Sequence, residues 1–269
     1  MRKRVVGSAL AVVAVLVLSS GILAQTAGPQ GAVKAPAPDL TGVWRRSRRP
    51  PDNARRYTMY EIAGTLTLQE PPMTPWGAAK HKAAKPNFGP HGVPISETND
   101  PVFKCFPPGV PRIYIMRVGQ PLEIMQIPGR VIMFFEYDHF VRQIFTDGRQ
   151  HSPDLTPSFM GDSIGRWEGD TLVVDTVGFN DRTWLDGDGH PHSDALHLVQ
   201  TFKRTDLGHI AYSVTIEDPK TYTKPWKNER TLVLYAGPLL EYSCEENNKD
   251  LREGHITVWT PPWVKGEKN

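Results

Sequence analysis

His190-Pro191-His192 sets two imidazoles two residues apart. In extended backbone, residues i and i+2 point the same way, so the two rings can converge on one metal ion. His197 or His151 offers a further nitrogen, and Asp194 or Asp181 an oxygen. His190, His192 and His197 are therefore the candidate metal ligands, in a site that keeps a position open for water. A divalent ion held this way makes a hydroxide nucleophile near neutral pH. The alternative is a polar loop in which Asp186-Gly187-Asp188-Gly189 forms turns and the histidines are hydrogen-bonded or solvated. An EF-hand starting at Asp186 is excluded, because its sixth and twelfth positions hold Pro191 and His197 instead of glycine and glutamate. An irregular calcium site stays open.

A second constellation is Asp138-His139-x-x-Arg142, followed by Asp147-Gly148-Arg149 and His151. If Phe140 to Phe145 is a strand, Arg142 and Ile144 share one face while Val141, Gln143 and Phe145 share the other. An inward arginine is costly unless an acid or an anionic ligand meets it, and Glu136 on the adjoining strand is a candidate. His139, Arg142, His192 and Asp181 make the candidate catalytic set for hydrolysis, elimination or isomerisation, with or without a divalent metal. Trp184, Trp226, Tyr222 and Arg142 are candidates for holding a small, partly apolar ligand, and the aromatics serve equally well as core. Ser163 lacks the Gly-x-Ser-x-Gly elbow. The chain has no glycine-rich phosphate loop, no His-Glu-x-x-His and no Cys-x-x-Cys-His. Nucleotide, flavin and covalent haem chemistry are therefore not expected.

The elements that must position these residues are mostly strands. Leu122 to Ile127, Val131 to Tyr137 and Phe140 to Phe145 read as a meander turned by Pro128-Gly129 and Asp138-His139. Arg166 to Thr176, Leu196 to Arg204, His209 to Glu217, Glu229 to Tyr235 and Ile256 to Trp259 follow, with Tyr57 to Leu68 earlier. His209 to Glu217 alternates cleanly: Ile210, Tyr212, Val214 and Ile216 face one way, and the polar residues the other. Thr74-Pro75-Trp76-Gly77 followed by Ala78 to Lys85 reads as a short helix. Eight or more antiparallel strands with short turns predict an all-β antiparallel barrel, lipocalin-like, with a sandwich as the alternative and a long irregular N-terminal arm.

The ends of the chain speak to compartment. Arg2, Lys3 and Arg4 precede an apolar run from Val5 to Leu18 and small residues up to Ala24, the pattern of a cleaved secretory signal. Residues 1–24 are read as signal, 25–38 as a Pro/Ala/Gly tether and 39–264 as one β domain. The chain has 31 Lys+Arg against 29 Asp+Glu. Removing the three basic signal residues leaves 28 against 29, so no nucleic-acid partner is implied. The arginines at 45, 46, 48 and 49 read as a solvated loop. Cys105 and Cys244 are the only two cysteines, and in an oxidising compartment such a pair bridges. The closed loop would contribute about 4–5 kcal/mol by the chain-entropy model.

Gly42-Val43-Trp44, echoed by Gly165-Arg166-Trp167, resembles the Gly-x-Trp strand entry of lipocalins and calycins. The phrases SIGRWEGDTLVVDTVGFND, HPHSDALH and EDPKTYTKPW resemble a family of exported bacterial β-proteins, over Leu40 to about Leu251. That resemblance implies export and a single domain, and brings no catalytic residues. The sequence reading is thus an exported β-barrel that binds a small, partly apolar molecule in its barrel or a cleft. The alternatives are a periplasmic enzyme using a His/Asp/Arg pocket, and an envelope interaction protein.

Overall fold

The computed structural model describes residues 38–47, 66, 70–87, 92–116 and 120–246. The expected signal, nearly all of the tether, the Tyr57 to Leu68 strand apart from Leu66, and the Ile256 to Trp259 strand lie outside these residues. Nine strands form one closed barrel in sequence order: β1 Gly42–Arg46, β2 Leu122–Ile127, β3 Arg130–Phe135, β4 Val141–Phe145, β5 Asp162–Glu168, β6 Thr171–Val177, β7 His197–Asp206, β8 His209–Glu217 and β9 Trp226–Leu234. Closure comes from β1, which pairs antiparallel with β2 on one side and with β9 on the other. Strands that simply alternate direction close a ring only in even number. Nine strands therefore force one parallel joint, and it falls between β4 and β5, where Phe145 pairs with Ile164. This is the departure from the all-antiparallel expectation. A crossover of residues 146–161 links the two strands.

Alternation on the strands follows the sequence. On β8 the buried residues are Ile210, Tyr212, Val214 and Ile216. The single strand expected over Arg166 to Thr176 is two strands, because Gly169-Asp170 turns the chain between β5 and β6. Trp167 accordingly lies within β5 and is only partly buried. Trp44 is sealed in the core, with its indole N–H donating to the Leu40 carbonyl at 2.9 Å and the Arg204 guanidinium 5.2 Å over its ring. Arg45 and Arg46 belong to β1 instead of a solvated loop, and Arg46 is buried.

The barrel interior is filled by side chains. Trp44, Leu122, Ile124, Met133, Phe135 and Phe202 pack with Tyr114, which the 3-10 turn Arg112–Tyr114 inserts among Phe135, Phe202 and Tyr212. Arg142 lies in the same interior on the expected face of β4. Its partners correct the expectation of an acid, because Glu136 instead accepts from the Leu240 N–H. The guanidinium donates to Tyr114 Oη (2.7 Å), Ser163 Oγ (3.0 Å), Thr176 Oγ1 (2.8 Å) and Gln200 Oε1 (2.7 Å). Four neutral acceptors spread over several elements thus satisfy a buried cation and cross-link the barrel from within.

Outside the barrel wall runs α1, Pro75–Ala83, where the sequence predicts a helix. Thr74 caps it by accepting from the Gly77 N–H, and Pro75 fits the first turn, where a missing N–H costs nothing. The Cys105–Cys244 disulfide forms as expected, with Cα atoms 5.5 Å apart. No helix among the described residues is long and apolar enough to cross a membrane.

Candidate metal centre

The loop from Gly178 to Leu196 is organised around one carboxylate. Asp186, fully buried, accepts from the backbone N–H groups of Leu66 (2.9 Å), Asp188 (3.0 Å) and His190 (3.3 Å) and from His190 Nδ1 (2.7 Å). Burial opposes its charge, yet His190 and these donors hold it well below the usual carboxylate range. Gly189 allows α1 to lie against this loop. It has φ +86°, and a Cβ there would sit 2.6 Å from Ala84 Cβ. At the other end of α1, a Cβ on Gly77 would sit 2.4 Å from the Thr221 carbonyl oxygen, and Thr74 N donates to that same oxygen at 2.9 Å. Two close approaches that only glycine permits therefore seat the helix.

The seating stacks the His81 ring on the His190 ring, with centroids 4.6 Å apart. Glu70, Asp188, His81 and His190 then bring one donor atom each to within 4.8 Å of one another. His190 Nδ1–H is spent on Asp186, so on the neutral ring the lone pair is at Nε2; that atom is buried and has no hydrogen-bond partner among the described residues. His81 Nε2–H donates to the Asp188 carbonyl at 3.1 Å, which leaves the Nδ1 lone pair facing Glu70. Both tautomers are set from behind, as they are in metal sites whose ligating histidines are oriented by a carboxylate or a carbonyl.

The front-side distances point the same way. Glu70 Oε2 lies 3.5 Å from His81 Nδ1 and 3.7 Å from His190 Nε2. An N–H···O bond spans about 2.7–3.2 Å, so these are not hydrogen bonds. Donors about 2.1 Å from a tetrahedral ion lie about 3.4 Å apart, which is close to what is found. With protons alone, burial opposes charge on His190, but Asp186 and then Glu70 raise its pKa to about 10. Burial and the neighbouring His190 push His81 down.

Of the three expected metal ligands, only His190 joins this group. His192 is buried with Nδ1 donating to its neighbour, the Ser193 carbonyl, at 3.1 Å and its ring edge-on to Phe179. Proline between the two histidines and the pull of Asp186 turn the rings to different partners. His197 sits on β7 in a separate row that crosses the outer barrel wall. There His151 bonds Asp162 (2.6 Å) and Asp175 (2.8 Å), and His197 bonds Asp175 (2.8 Å) and Glu217 (2.9 Å).

The expected catalytic set is not gathered. His139 is exposed over Phe134, Arg142 is sealed in the barrel and Asp181 is exposed. Asp181 lines an open cleft of about 730 Å³ together with Trp76, Phe179, Arg182, Asp194 and Lys220. The expected ligand-binding aromatics brace the loop. Tyr222 Oη donates to the Pro191 carbonyl at 2.7 Å, Trp226 leans on His190, and Trp184 lies over Arg112. Glu70 and His81 were not singled out by sequence: one lies in a proline-rich stretch and the other on a helix, and no spacing links them to residue 190. Neither a protein-family model, a characterised relative nor a solved structure matches the chain.

Proposed function

We propose that this chain is a divalent-metal protein whose centre, outside the barrel wall, is held by Glu70, His81, His190 and Asp188. The observation that carries the reading is the pair of imidazole nitrogens held toward one glutamate oxygen at 3.5 and 3.7 Å, each ring anchored through its other nitrogen. Two imidazoles with carboxylates suit zinc, iron(II) or manganese better than calcium or magnesium, which prefer all-oxygen shells. The Glu70 side chain is 59% exposed, so solvent reaches the centre from its side. That arrangement fits an ion that activates water and a metal-assisted enzyme of the hydrolase or lyase type better than a closed structural site.

The small, partly apolar ligand expected from the sequence is better accommodated in the cleft than in the filled barrel. Trp76 and Phe179 offer it apolar surface, and α1 and the 178–196 loop, which carry His81 and His190, also wall the cleft. The disulfide supports residence in an oxidising compartment.

The test is metal content after separate loading with zinc, iron(II) and manganese and removal of free ion. About one ion per chain is expected for the protein with one of these metals, with its loss in both His190→Ala and His81→Ala. Retention of no ion by the unaltered protein, or equal retention in both variants, overturns the reading.

A further inference from the structure

The outer row Asp162–His151–Asp175–His197–Glu217 has a property the metal centre lacks. Each ring is bonded at both nitrogens to a carboxylate, and an ionised carboxylate only accepts. A neutral imidazole has one N–H and satisfies one neighbour. Four contacts of 2.6 to 2.9 Å therefore hold two protons more than two neutral rings supply.

The row lies where the barrel is least tied. β4 and β5 meet at a single register pair, Phe145 with Ile164, whereas β5 and β6 run paired from Asp162–Val177 to Glu168–Thr171. His151 belongs to the crossover over this joint, and its two bonds fasten that crossover to β5 and β6. One residue further along each strand, Ser163 and Thr176 turn inward to Arg142, so the same two strands are clamped from both faces.

We propose that the row is a two-proton lock on the parallel seam: protonated, it pins the 146–161 crossover to the barrel, and loss of a proton frees His151. Release reshapes the open cleft of about 680 Å³ that Arg149, Ser152 and Asp162 line.

The other charges nearby are committed elsewhere. On the crossover, Asp147 pairs with Arg149, which also feels Asp162, and Asp154 is exposed. On β9, Lys227 pairs with Glu229, and after β8 the Asp218 carboxylate turns to Ser193 and Thr221. Burial disfavours charge on His197, but Asp175 and Glu217 outweigh it and raise its pKa. Burial likewise opposes Asp175, and His197 and His151 outweigh it and lower its pKa. The lock thus holds from above the carboxylate range to above the ordinary imidazole value, and opens on the alkaline side.

Hydrogen exchange of the whole protein between pH 5.5 and 9, corrected for intrinsic rates, tests this. Protection of residues 146–161 is expected to fall about tenfold per pH unit for each proton released, with the β2–β3 hairpin unchanged. His151→Gln keeps one amide donor and cannot titrate, so its crossover is expected to be poorly protected at every pH. Protection that is independent of pH in the unaltered protein, or pH-dependent protection retained in His151→Gln, overturns the proposal. So does a ring titration that places His197 at or below about 6.5. That titration needs no variant and decides the matter if His151→Gln fails to fold.

Discussion

The loop centre and the strand row are built from the same two residue chemistries, imidazole and carboxylate, and differ in spacing. In the row, nitrogen and oxygen stand at 2.6 to 2.9 Å, where a proton bridges them. In the centre, Glu70 stands 3.5 and 3.7 Å from two nitrogens whose rings are anchored through their other nitrogen, a spacing that leaves room for a larger cation. The difference comes from the scaffold. Strand register sets the spacing of Asp175, His197 and Glu217, with His197 directly opposite Glu217. In the centre, a buried Asp186 and two glycine contacts hold a helix and a loop at a fixed standoff. Residue type alone does not distinguish a proton site from a metal site; the back-side partner of each ring nitrogen does.

The sharpest way to break the comparison is Asp186→Asn. The amide cannot accept from all four donors, and it leaves His190 without a counter-charge behind it. Breaking a buried ion pair of this kind costs about 3–5 kcal/mol, read from the denaturant midpoint at constant m-value. Metal affinity is expected to fall about 10–100-fold, the usual cost of losing a carboxylate behind a ligating histidine. A stability change under about 1 kcal/mol would mean that Asp186 is not the organiser of the loop. Gly189→Ala is the next largest. Its Cβ would collide with Ala84 at a residue already at positive φ, so α1 must shift, at about 1–3 kcal/mol. Metal retention should weaken while the His197 ring titration stays where it is. If both sites change together, the two regions are not independent.

Much of the scaffold was legible because it follows local rules. The β8 boundaries match the clean alternation from His209 to Glu217, and β2 matches Leu122 to Ile127. The Pro128-Gly129 turn and the Cys105–Cys244 bridge also followed from residue type. The parallel joint was not legible, because it is a consequence of closing an odd number of strands. Alternation put Arg142 on the same face of β4 as Ile144 but left open whether that face turns inward, and its neutral partners on β5, β6 and β7 belong to a register that no local pattern fixes. The centre was half legible. His190 stood out beside His192, whereas His81 reaches it across a sequence separation of over a hundred residues, as its bond to Asp188 does. For the row, His197 and His151 were visible as spare imidazoles. Asp175 was hidden as the polar outward residue of an apolar strand, which was the available signal for a side chain with a partner on the wall.

The smallest effect belongs to Glu217→Gln, and it probes the proton side of the comparison. The glutamine oxygen still accepts from His197 Nδ1, so geometry is kept and only charge is lost. The Glu217 side chain is 41% exposed, so solvent screening holds the cost to about 0.2–1 kcal/mol. The sign follows from His197, whose folded pKa lies above its unfolded value. Such a group stabilises the fold fully below the unfolded pKa of about 6.5 and loses that contribution as pH rises through the folded one. Glu217→Gln should therefore destabilise at pH 6, have little effect well above the folded pKa of His197, and move the ring titration down. An equal loss at pH 6 and pH 9.5 would assign the effect to packing and remove the charge argument from this end of the row.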